Sequence, residues 1–68
     1  MLFSCGYENR GVIVDAKNDE EAAIASVEHL TRGGFLCTES VITHPFGEKL
    51  TEMQRYYLDK NGYCHHEG

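Results

Sequence analysis

Apolar and polar positions alternate at the start of the chain. Phe3, Cys5 and Tyr7 fall on one face of a segment running from Leu2 to Glu8, the period of a half-buried strand. Glu8-Asn9-Arg10-Gly11 interrupts the alternation, with Asn and Gly tolerating the left-handed backbone a turn needs. A second run, Gly11 to Ala16, carries the consecutive β-branched residues Val12, Ile13 and Val14. The two runs predict an N-terminal hairpin.

The period then lengthens. Asn18 can cap a helix, and Glu21 stands three residues on, as a capping box requires. Asp19, Glu20 and Glu21 crowd a first turn where the helix dipole favours negative charge. Ala23, Ile24, Val27, Leu30 and Thr31 map to one stripe, the face expected to pack on a sheet. Glu21, Ala25, Glu28 and Arg32 form the outward ridge. Gly33 and Gly34 supply the stop, with Arg32 complementing the dipole in the last turn.

Phe35 to His44 reads as a long strand whose apolar ends fall on different faces, so a bulge near Glu39 and Ser40 is expected. Pro45-Phe46-Gly47 ends it. The last third supports two readings. In one, residues 51–58 and 62–66 are strands joined through Asp59-Lys60-Asn61-Gly62, Asn-Gly being a strong hairpin cue. In the other, residues 48–60 form a second helix with Leu50, Met53 and Tyr57 on one face and Gly62 as its stop. The hairpin is preferred because it gives Tyr63-Cys64 a place. The tail His65-His66-Glu67-Gly68 reads as a frayed end.

The expected fold is therefore α+β, with order β-β-α-β-β-β. One helix packs on one face of an antiparallel sheet, and the reverse face has no second layer from this chain. The 68 residues make one small domain, 1–68. Such a chain buries only about 60% of the surface its unfolded form exposes, which leaves little room for an enclosed substrate pocket. A binding module is favoured over an enzyme.

Charge sharpens that reading. Eleven acidic residues against six basic give a formal charge of −5. Phosphate neutralisation needs clustered Lys and Arg, so direct nucleic-acid binding is disfavoured, while a basic protein surface would be attracted. No stretch is long and apolar enough for a membrane span, and the N-terminus lacks the pattern of a secretion signal. Three cysteines, an odd number, argue against a disulfide framework and for a cytoplasmic setting.

Motifs for chemistry are scarce. Cys37, Cys64, His44 and His66 are a conceivable zinc set, but they contain no Cys-x2-Cys or His-x3-His pair, so no metal or other cofactor is assigned. A Cys37–Cys64 disulfide remains open if the two strands pair. Cys5 reads as a small core residue under the helix. No catalytic residue is assigned, because the histidines adjoin Cys64 only in sequence and no phosphate loop or nucleophile elbow is present.

The densest charge feature is Asp15, Asp19, Glu20 and Glu21. It suits helix capping and also docking against Arg and Lys; Glu28 extends it along the outward ridge. Tyr56 and Tyr57 are neighbours, so in a strand one of them must leave the covered core for an interface. Asp15, Asp19, Glu20, Glu21, Glu28, Tyr56 and Tyr57 are thus the expected partner-binding residues.

In size, acidity and expected element order, the chain resembles several small phage-encoded inhibitor proteins, anti-CRISPR proteins among them. That resemblance rests on architecture and charge. It implies a non-catalytic, stoichiometric blocker of a basic nucleic-acid-binding surface on a host nucleoprotein complex. The competing expectations are a homodimer that closes its own open sheet, and a small zinc-stabilised domain.

Overall fold

The computed structural model describes residues 1–31 and 36–66. β1 (Leu2–Tyr7) and β2 (Arg10–Asp15) form the expected hairpin, with Phe3 opposite Val14 and Cys5 opposite Val12. The Tyr7–Arg10 pair closes on a two-residue turn, Glu8-Asn9, and Glu8 takes φ 55. β3 (Ile42–Pro45) pairs with β1 and β4 (Tyr63–His65) pairs with β2. The sheet order is β3-β1-β2-β4, antiparallel throughout.

α1 (Asp19–Leu30) begins as expected, Asn18 accepting from the Glu21 amide at 2.9 Å. The Glu21 carboxylate accepts from the Lys17 amide at 3.4 Å, one residue before the partner a capping box would give it. The inner face is rotated from the expected one. Ala22 and Ser26 are buried, with Ala25, Val27 and Leu30 partly so, whereas Ile24 stays 54% exposed. Small side chains one turn apart let the helix approach the sheet closely, and that favours this rotation over burying the larger Ile24. Beneath them lie Phe3, Cys5, Val12, Val14, Leu36 and Val41. The expected stop at Arg32, Gly33 and Gly34, and the strand start at Phe35, lie outside the described residues.

Two expectations about the second half are corrected. The long strand is interrupted by a 3-10 turn at Thr38–Ser40, where Ser40 N–H donates to the Cys37 carbonyl at 3.0 Å. The polar run Thr38-Glu39-Ser40 is spent on this turn, and pairing resumes only at Ile42. The C-terminal segment is helical over α2 (Glu52–Asn61), so the preferred hairpin does not form. Thr51 and Gln54 make a full capping box, with bonds of 2.9 and 3.1 Å. Gly62 takes φ 83 and donates to the Leu58 carbonyl at 2.9 Å, so Asn61-Gly62 terminates a helix instead of turning a hairpin.

α2 also corrects the picture of a bare reverse face. Its Leu58 packs with Ile13 and Cys64, and Leu2, Phe46 and Leu50 surround them. The sheet thus has a core on each side, a large one under α1 and a small one under α2. The C-terminal residues are not frayed up to His66, whose amide donates to the Gly11 carbonyl at 3.0 Å. No helix among the described residues is long and apolar enough to cross a membrane.

Candidate protein-binding site

The start of α1, the 3-10 turn and β3 enclose a groove of about 490 Å³. Asp19 and Glu20 enter it from the helix and Glu39 from the turn; Ala23, Ile24 and Val41 supply apolar wall, and Thr38 and Thr43 complete it. Among the described residues no Lys, Arg or His lines it. Thr43 Oγ1 is buried with no hydrogen-bond partner among the described residues.

β3 is a terminal strand of the sheet. Phe46 N–H donates to the Leu2 carbonyl at 2.9 Å, which fixes the phase of the β1–β3 ladder. Because antiparallel bonding alternates, His44 and Ile42 turn their backbone groups toward β1, and Thr43 turns its own away from the sheet. The outward backbone of Thr43 therefore lies beside the three carboxylates.

The expected partner-binding residues do not form one surface. Asp19 and Glu20 line the groove. Asp15 instead receives the Met1 α-amino group at 2.7 Å. Glu21 is tied to the Lys17 amide, and Glu28 is exposed farther along α1, beside His29. Tyr56 and Tyr57 lie on α2, across the sheet from α1; their rings meet edge-on at 5.3 Å, and Lys60 Nζ is 3.3 Å from the Tyr56 hydroxyl. Glu39 was missed because the sequence pattern placed it in a strand. Only the fold of the turn brings it opposite Asp19 and Glu20.

The candidate zinc set is not assembled. Cys37 is exposed on the α1 side and Cys64 is buried under Leu58; all three cysteines are free. Among the described residues no three His, Cys, Asp or Glu side chains gather closely enough to hold a metal ion. Cys5 is the buried core residue expected, its Sγ 3.7 Å from the Ala22 carbonyl oxygen. A hydrogen bond from the Ser40 hydroxyl, followed by the Glu39 and Ser40 amides, draws the Cys37 thiol below its ordinary pKa. Burial pushes the Cys64 thiol up.

One side-chain pair had no signal in the sequence. Ser4 Oγ lies 3.2 Å from His66 Nδ1, and Phe46 meets the His66 ring edge-on. No carboxylate bonds to that imidazole among the described residues. On the other side of the sheet His29 stacks on Tyr63 at 4.1 Å, joining α1 to the far strand.

No protein-family model matches the chain, and no curated protein or solved structure matches it either.

Proposed function

We propose that the chain is a non-catalytic protein-binding module whose partner presents a basic surface. Its action is that of an anti-CRISPR-like inhibitor, covering a basic nucleic-acid-binding surface of a host nucleoprotein complex. The observation that carries this reading is the groove in which Asp19, Glu20 and Glu39 converge, with no cation to neutralise them among the described residues. Carboxylates so placed can stand in for phosphates against Arg and Lys. The exposed Ile24 offers apolar contact at the same place, and the backbone of Thr43 turns outward beside it. The net charge of −5 steers the whole chain toward a positive partner.

The test is a comparison of wild type with Glu20→Lys/Glu39→Lys. Both positions are exposed, so the fold is expected to survive, which circular dichroism checks. Wild type immobilised on beads should retain a nucleic-acid-binding protein from a bacterial lysate. The doubly reversed chain should lose it, and the chain should displace nucleic acid from the purified partner. Association should slow as salt rises, because exposed charges are screened over about 10 Å at 0.1 M. Equal retention by both chains, or a partner that keeps its nucleic acid, rejects the proposal.

A further inference from the structure

The opposite edge of the sheet has different chemistry. β4 is the other terminal strand, and its ladder phase is fixed by the His66 N–H donated to the Gly11 carbonyl at 3.0 Å. By alternation Cys64 also turns its backbone toward β2, while Tyr63 and His65 turn theirs away from the sheet. Alongside this edge, which pairs with no further strand among the described residues, runs a groove of about 500 Å³. Met53, Gln54, Tyr57 and Asn61 of α2 face it together with Tyr63 and His65. Met53 is 69% exposed and Tyr57 45%, which leaves apolar surface open beside the strand.

We propose that this edge is where two copies of the chain join. Tyr63 of one copy pairs with His65 of the other about a two-fold axis passing between their Cys64 residues. The sheet then runs unbroken through both copies.

The spacing makes the edge self-complementary. Tyr63 and His65 stand symmetrically about Cys64, so in an antiparallel two-fold pairing every outward amide meets an outward carbonyl. The two α2 helices then lie on the same face of the joined sheet, where Tyr57 and Met53 of each can cover the other.

Charge selects the occupant. Two chains of −5 repel, and pairing through β3 would bring two sets of Asp19, Glu20 and Glu39 together. Among the described residues the groove beside β4 is lined by no carboxylate, lysine or arginine, so like-charged copies can meet there. The two edges also differ in protection. β3 ends in Pro45, a residue that blunts strand addition, whereas β4, protected only by its three-residue length, carries no Pro or Lys. This inference uses the edge away from the acidic groove and stands whether or not that groove binds a basic partner.

Sedimentation of the full chain over micromolar to high micromolar concentration tests it. Wild type should sediment as a dimer. In His65→Pro the amide lost is one that points away from β2, so the internal ladder is kept while the outer one is broken. Self-association should weaken by at least about tenfold, since each lost bond at such a ladder contributes measurably.

A wild type that stays monomeric at the highest concentration overturns the proposal, as does a folded His65→Pro chain that dimerises as well as wild type. If His65→Pro does not fold, Tyr57→Glu and Tyr57→Lys decide. Each alone should be monomeric and their mixture should restore the dimer; dimerisation of either variant alone, or failure of the mixture, overturns the proposal.

Discussion

Glu8 is the described residue most at odds with its own backbone. Its φ of 55 places a side chain with a Cβ in a region that glycine occupies freely and other residues enter at a cost of about 1–2 kcal/mol. The turn is set by the two strands: the Tyr7–Arg10 pair leaves only Glu8 and Asn9 to reverse the chain. The side chain is exposed and makes no hydrogen bond among the described residues, so nothing is lost by removing it. Glu8→Gly should therefore stabilise the protein, by about 0.5–1 kcal/mol once the greater freedom of glycine in the unfolded chain is subtracted. Urea denaturation monitored by circular dichroism gives the answer; a lower midpoint would show that the left-handed turn carries no strain.

At the scale of elements, what the sequence made legible follows the reach of each signal. The N-terminal hairpin and the start of α1 rest on local rules, alternation in one case and an Asn cap with acidic residues in the other, and both form as expected. The C-terminal segment held two local cues in conflict. Asn61-Gly62 suggests a hairpin turn, yet the same glycine serves as a left-handed helix cap. The deciding signal was present in Thr51-x-x-Gln54, a capping box that specifies a helix start. The inward face of α1 was harder to read, because Ala22 and Ser26 are small and carry little hydrophobic signal, while Ile24 carries a strong one and remains outside. The acidic groove was half legible: Asp19 and Glu20 could be named, but Glu39 joins them only through tertiary folding. The weight assigned to the Thr51 cap is measurable. Thr51→Ala should cost about 1 kcal/mol, typical of losing an N-cap, and Thr51→Ser should recover most of it. No loss in the alanine variant would mean that α2 is held by Leu58 in the reverse core alone.

For the whole molecule, the contact between His29 and Tyr63 ties α1 to the β4 edge and makes stability depend on pH. Burial against the aromatic ring lowers the His29 pKa, and the neighbouring Glu28 carboxylate only partly opposes it. The folded state therefore prefers neutral imidazole. In the unfolded chain the same histidine takes up a proton near its ordinary value of about 6.5. Between that value and the lower folded one, the unfolded state holds more protons, so stability rises with pH across this window and is lost as pH falls through it. Above about pH 6.5 the contribution is fully present. His29→Phe keeps a ring over Tyr63 without a titrating group, and thermal midpoints of the two chains should converge near neutral pH and separate below it, with wild type the less stable. The separation should be modest, since the imidazole is only half-buried. Parallel midpoints across pH 5 to 7 would mean that the stack tolerates an imidazolium, and that α1 and the far edge of the sheet are not joined through the charge state of this side chain.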